Sequence, residues 1–328
     1  MDTYKPELIL KSEKADLVTK PWATIATATF NRQSELIRLY NSIVRIADIT
    51  KDDIQFEWLI IDDGSNDSTS QTVSDWCAEN LIPIRYYKQP NQGKHVAINH
   101  ATELARGEIM VTIDSDDELL PDSLNTFYET WASIPEDIKP GLKGVTGRCI
   151  DPQTGKIIGT PIPKKYNDGK YLITSPQDLR HKYRLKGEMC GFNRTDILRK
   201  YPHQVKADSG RFMPESILWY TIGKEYKEYV IDWPVRVYHS DGNGAITAGG
   251  SRNRAPQNYY LWQFMVNNIL KQYIFSDPKN MLKAVVGISM DGFRTGRSVS
   301  TILADCDSIF AKCMVLGFMP CGWLLSKR

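Results

Sequence analysis

The 328-residue chain carries 41 Lys and Arg against 39 Asp and Glu, a formal net charge of +2, and 41% of its residues are hydrophobic. These values describe a globular protein large enough for one big α/β domain with appendages or for two ordinary domains, and they exclude a disordered or fibrous chain. So neutral a balance supplies no electrostatic footprint for nucleic acid, and no nucleic-acid partner is expected.

Residues 1–20 mix polar and charged types without the apolar stretch of a signal peptide, so export is not expected. Residues 22–28 are apolar and rich in β-branched types, the pattern of a buried strand; residues 34–46 then place Leu36, Ile37, Leu39, Tyr40, Ile43 and Val44 at helical spacing. A second buried strand over 56–61 stops at Asp62-Asp63-Gly64-Ser65-Asn66-Asp67, whose serine and asparagine suit the cap of a helix running to about Cys77. A short strand over 83–87, a helix over 94–105 and a strand over 109–113 follow, the last delivering Asp114-Ser115-Asp116-Asp117. Pro121 opens the next helix, since proline fits a first helical position. Farther on, 144–150 and 229–238 read as strands, and 257–273 and 298–316 as helices.

Strands separated by helices of this length predict an α/β fold with a mostly parallel central sheet covered by helices on both faces. Ligands of such sheets collect at the carboxyl ends of the strands, where the polar turns after Ala28, Ile61 and Ile113 fall. With no repeat and no low-complexity linker, residues 1–254 are expected to form one catalytic domain and 255–328 a helical C-terminal extension. The six cysteines, Cys77, Cys149, Cys190, Cys306, Cys313 and Cys321, show no C-x-x-C spacing and no histidines at zinc-finger distances, and read as reduced thiols of a cytoplasmic protein. Residues 314–325 are an apolar run containing Pro320 and followed by Lys327 and Arg328. Too short to span a bilayer, the run reads either as a final core helix or as an interfacial foot with Trp323 and the terminal cations at an anionic membrane surface.

A strand that ends in Asp114-Ser115-Asp116-Asp117 offers hard oxygen ligands to Mg²⁺ or Mn²⁺, with coordination positions left over for phosphates. The alternative is an acidic turn capping the next helix. Asp62 and Asp63 put paired carboxylates at another strand end, where one of them could accept the imide hydrogen of uracil or simply cap a helix. Asn91-Gln92-Gly93-Lys94 is a glycine turn entering a helix, and its N–H groups with Lys94 suit a diphosphate or the uracil edge.

Taken in order, these segments resemble the family-2 glycosyltransferases of the GT-A fold. The resemblance rests on Thr29-Phe30-Asn31-Arg32 after the first strand, on Ile61-Asp62-Asp63-Gly64-Ser65-Asn66-Asp67, on the N-x-G-x-x-x-A-x-N element from Asn91 to Asn99, and on D-x-D at Asp114-Ser115-Asp116 preceded by Ala105-Arg106-Gly107-Glu108. It covers roughly residues 22–130 and implies a Rossmann-like nucleotide-diphospho-sugar transferase. Its co-substrate would be a UDP-sugar and its acceptor a hydroxyl of a bacterial envelope glycan or a lipid-linked glycan, used at the inner face of the cell membrane. Residue by residue, it implies that Thr29, Asn31 and Arg32 line the nucleoside pocket, that Asp62 or Asp63 pairs with the base, and that Gly93 and Lys94 stand nearby. Asp114 and Ser115 would then lie beside the ribose and Asp116 on the metal. Asp114 and the late His239 are further metal-ligand candidates. Inversion by direct displacement requires a carboxylate to take the acceptor proton; Glu215, opening a helix after Pro214, is the candidate, with Asp208 as runner-up. A loop rich in glycine and arginine up to Arg254 is expected to close over the diphosphate.

Two other classes share some of these features. Haloacid-type phosphatases also place D-x-D at a strand end, but they need threonine or valine where this chain has Glu118, and they leave the Asp62 and Asn91 motifs unexplained. A binding module that keeps the donor pocket without turnover is disfavoured by the intact carboxylates Asp114, Asp116 and Glu215.

Overall fold

The computed structural model describes residues 4–206, 208, 210–239 and 252–327. The strands are β1 Glu7–Lys11, β2 Ala23–Thr29, β3 Phe56–Asp62, β4 Ile84–Lys88, β5 Ile109–Thr112, β6 Glu118–Leu119, β7 Leu142–Ile150, β8 Tyr171–Thr174, β9 Met189–Arg194 and β10 Lys227–Val237. They form one sheet in the order β1-β4-β3-β2-β5-β9-β7-β10-β6, with β8 also paired to β10. β4, β3, β2 and β5 run parallel, as expected of strands joined by helices. β9 lies antiparallel between β5 and β7, and β7 and β10 are parallel.

β3 is buried along its whole length, which explains its near-continuous apolar run. Its one charged residue before the terminal aspartate, Glu57, is matched inside the protein: Arg85 donates to both of its oxygens at 2.8 and 2.9 Å, and Thr24 and the Arg106 N–H donate as well. The helices Gln33–Ile49, Thr69–Glu79 and Lys94–Leu104 cross between the parallel strands. Leu36, Leu39 and Ile43 from the first of these pack with Trp58, Ile60 and Val111 in the core.

Several expected boundaries differ. The helix assigned to Pro121 starts at Ser123 instead, with Asp122 at the cap position. The segment 257–273 is a helix Ala255–Asn268 and a short turn of helix Leu270–Tyr273. The helix expected over 298–316 is two helices, Val299–Ala304 and Ile309–Ser326, because each has its own serine cap: Ser298 accepts from the Thr301 N–H and Ser308 from the Ala311 N–H. Asn267 fixes the break by accepting from the Asp307 N–H and donating to the Asp305 carbonyl. Pro320 lies inside the second of these helices without ending it.

The chain divides into two compact units: residues Met1–Pro176, Leu185–His203 and Ile222–Gly242, and residues Gln177–Arg184, Gln204–Thr221 and Asn243–Arg328. The first holds the sheet. The second is helical and has its own core around Tyr259, Met281, Val285, Ile288 and Val315. Within it the helix Ile309–Ser326 lies against Pro278–Arg294, a helix not among the expected elements; a Cβ at Gly322 would stand 2.6 Å from that of Ser289, so only glycine permits this approach. The opposite face of Ile309–Ser326 is apolar and exposed: Ile309 is 81%, Leu316 55% and Leu324 61% accessible. All six cysteines are free thiols.

Candidate active site

Three turns at the carboxyl ends of β2, β3 and β4 are stitched into one floor. Asn31 takes φ +50°, a left-handed conformation that asparagine tolerates, and its backbone N–H donates to Ser65 Oγ at 2.9 Å while its Oδ1 accepts from the Asn66 N–H at 2.8 Å. The Asp63 N–H donates to the carbonyl of Thr29, whose own hydroxyl is buried. Gly64, at φ +88°, brings its backbone so near the third turn that a Cβ would sit 3.0 Å from the Asn91 nitrogen. Asp62 accepts from the Ser65 N–H at 2.7 Å and from the Tyr86 hydroxyl. Asp63 accepts from Gln92 N–H, Gly93 N–H and Gln89 Nε2, each at 2.8 Å. Burial pushes the Asp63 carboxyl above its usual range, against these three hydrogen bonds. At the end of β3, Asp62 thus accepts two and Asp63 three of the chain's own donors.

β5 delivers the acidic run. One ligand oxygen from each of Asp114, Asp116 and Asp117 lies within 4.8 Å of the others, a set of hard donors that fits Mg²⁺ or Mn²⁺. Each carboxylate faces its own cation: Lys94 Nζ is 2.5 Å from Asp114, Arg32 Nη1 is 2.7 Å from Asp116, and Arg236 Nη1 is 3.2 Å from Asp117. Arg38 donates to the Asp116 carbonyl. Burial would raise the Asp114 carboxyl, but Lys94, Arg236 and Arg32 outweigh it and hold it below the ordinary range. At Asp117 the balance goes the other way: burial, with Asp114 and Asp116 nearby, pushes its carboxyl up to about 7 against the pull of Arg236 and the His239 N–H.

Of the residues singled out in the sequence, Thr29, Asn31, Arg32, Asp62, Asp63, Gly93, Lys94, Asp114, Ser115 and Asp116 all belong to this one end of the sheet in the first unit. His239 is beside the carboxylates rather than among them: its N–H donates to Asp117 at 2.9 Å and its Nε2 is 2.9 Å from Glu118 Oε1. Glu215 opens the helix Glu215–Ile222 in the second unit and is half-buried. Asp208, in the same unit, takes hydrogen bonds from Tyr260 and Arg297, which hold its carboxyl below the usual range and make it a weak base. Residues 240–251, most of the expected closing loop, lie outside the described residues. Sequence reasoning gave no role to Arg236. It stands in Val235-Arg236-Val237, where alternation alone would turn it to solvent, yet it is 7% exposed beneath the acidic run.

The family model for glycosyl transferase family 2 matches residues 24–142, which contain every one of these turns and the acidic run. Residues 24–142 are a family-2 glycosyl transferase region. The chain is 25% identical over 238 residues, 71% of its length and 69% of the relative's, to the GalNAc(5)-diNAcBac-PP-undecaprenol beta-1,3-glucosyltransferase of Campylobacter jejuni. It is 35% identical over 234 residues, 65% of each chain, to the uncharacterized glycosyltransferase YibD of Escherichia coli. Each match therefore takes in about two thirds of the relative. Among solved structures, S. aureus TarS 1-349 in complex with UDP-GlcNAc superposes with a TM-score of 0.55 over 93% of this chain and 81% of that one, at 14% identity, a likeness of fold.

Proposed function

We propose that this glycosyltransferase moves one sugar from a UDP-sugar to a hydroxyl of a bacterial cell-envelope glycan or its lipid-linked precursor, with inversion and with a divalent cation, Mn²⁺ or Mg²⁺. The observation that carries the reading is the convergence of Asp114, Asp116 and Asp117 at the end of β5, faced by Lys94 and Arg32. These three carboxylates would hold the cation, which supplies neutralisation of charge on the departing nucleoside diphosphate. Arg32 and Lys94, 18% and 25% exposed, have side chains long enough to turn from the aspartates to phosphate oxygens when a donor arrives. The left-handed turn at Asn31 and the Asp62-Asp63 and Gly93 turns shape the nucleoside end. Glu215 is assigned the acceptor proton.

UDP as the nucleotide is supported by the UDP-GlcNAc held by TarS, which shares the fold. A lipid-linked acceptor is supported by the undecaprenol-linked name of the Campylobacter relative. It agrees with the exposed apolar face of Ile309–Ser326, which is longer than the expected run 314–325: by length and composition alone its 18 residues are enough to cross a membrane, and with Lys327 after it the helix can also lie in the interface at the cytoplasmic face. The test is release of nucleoside diphosphate from a panel of UDP-, GDP- and dTDP-sugars, with Mn²⁺ and with chelator. Turnover of one UDP-sugar with metal alone is the expected result. Metal-independent turnover, or none with any UDP-sugar, contradicts the proposal.

A further inference from the structure

The three cations facing the acidic run are not equivalent. Lys94 and Arg32 reach solvent, whereas Arg236 is almost wholly enclosed and comes from β10, a different part of the sheet. β10 pairs with β6, the strand directly after the acidic run, in the register Arg236↔Leu119 and Val237↔Glu118. The guanidinium is held on several sides: Nε donates to Cys149 Sγ at 3.2 Å, Nη2 is 3.8 Å from Glu188, and the group stands 5.3 Å from the centre of the Tyr238 ring. Asp117 accepts a hydrogen bond at Oδ1 from the backbone N–H of His239 at 2.9 Å, while its buried Oδ2 has no hydrogen-bond donor and stands 3.2 Å from Arg236 Nη1 as an ion pair. Asp117 itself is 1% exposed. A carboxylate so enclosed beside two others calls for a fixed counter-charge, and Lys94 and Arg32, which pair with Asp114 and Asp116, are not that charge if they turn to a donor.

We propose that Arg236 is a positioning residue that fixes Asp117 as the third oxygen donor of the cation site, so that the site keeps three carboxylates when Arg32 and Lys94 turn to the diphosphate. The inference rests on the reading of Asp114, Asp116 and Asp117 as a cation site. Arg236 touches neither donor nor cation; it acts through Asp117.

The experiment titrates Mn²⁺ in the presence of UDP into wild type, Arg236→Met, Arg236→Lys, Asp117→Asn and the Arg236→Met/Asp117→Asn double variant. Calorimetry and the electron paramagnetic resonance of free Mn²⁺ report binding, and melting temperatures are recorded alongside. Loss of a group that orients a metal ligand lowers affinity by about 10- to 100-fold. Arg236→Met and Asp117→Asn are expected to show that loss, Arg236→Lys to recover part of it, and the double variant to bind no worse than the weaker single one. Wild-type affinity in folded Arg236→Met, or losses that add in the double variant, overturns the proposal. Should Arg236→Met fail to fold, Asp117→Asn and Arg236→Lys decide: unchanged Mn²⁺ affinity in both is the overturning result. A wild type that binds no Mn²⁺ overturns the cation-site reading and this inference with it, an outcome distinct from the others.

Discussion

Asp63 joins two of the turns at the carboxyl ends of the strands, and its replacement by alanine measures how firmly they are joined. Its two oxygens accept from the N–H groups of Gln92 and Gly93 and from Gln89 Nε2, all at 2.8 Å, the last two buried and the first partly so. Alanine leaves two buried donors and one part-buried donor without acceptors, at about 1–3 kcal/mol for each buried one. Part of that is offset because the buried carboxylate no longer has to be desolvated, a strain visible in its raised pKa. The net expectation for Asp63→Ala is a destabilisation of about 3 kcal/mol. Asp63→Asn keeps one acceptor oxygen but turns an NH₂ group toward a donor that the carboxylate had satisfied, so one donor is orphaned and the expected cost is about 1–3 kcal/mol. Urea denaturation followed by tryptophan fluorescence gives both numbers, with an unchanged slope confirming that the same surface unfolds. If Asp63→Ala lies within about 0.5 kcal/mol of wild type, the three bonds are not structural and the aspartate is free for a ligand.

Glu215→Gln should keep donor binding and lose transfer by about 10²- to 10⁴-fold; near-normal turnover would remove Glu215 from the role of base. Deleting residues 309–328 should release the protein from anionic phosphatidylglycerol vesicles in a flotation assay, and equal flotation of both forms would argue against the helix as the membrane contact. His100 is buried, and burial holds its imidazole below the ordinary value of about 6.5 although Glu103 and Asp63 pull upward. A group with a depressed folded pKa contributes stability that is full above its unfolded pKa and lost as pH falls through the folded one. The stability gap between wild type and His100→Gln should therefore be constant above pH ~7 and shrink as pH drops below ~6.5; a gap that widens on acidification contradicts that sign.

The parallel half of the sheet is legible in the sequence because β2, β3 and β5 are dense apolar runs ending in polar turns, and the helices between them keep a clean period. The ends of these strands fall within one residue of the expected ones, whereas the helix expected over 34–46 continues to Ile49. β9 escaped because Met-Cys-Gly-Phe-Asn-Arg has no alternation; its place is set by partners on both sides, β5 and β7, which no local pattern reveals. The break between Val299–Ala304 and Ile309–Ser326 escaped because an apolar period continues through it while the serine caps and Asn267 stop the helix. At the site, the acidic run could be read directly, since hard ligands in sequence stay together in space. The commitment of Asp63 to backbone donors could not, because it depends on a turn about 30 residues away. Arg236 was hidden by the opposite problem, a charge whose neighbours suggest exposure and whose partner is Asp117.

If the acidic run holds a donor's diphosphate with its cation, loss of one of its carboxylates abolishes transfer. Asp116→Ala removes the carboxylate paired with Arg32 and retains the fold, since that side chain is partly exposed and caps no helix. Transfer from a UDP-sugar should need Mn²⁺ or Mg²⁺ in wild type and be absent from Asp116→Ala at any metal concentration, with the two melting temperatures alike. Wild-type transfer rates from that variant in excess chelator would contradict it.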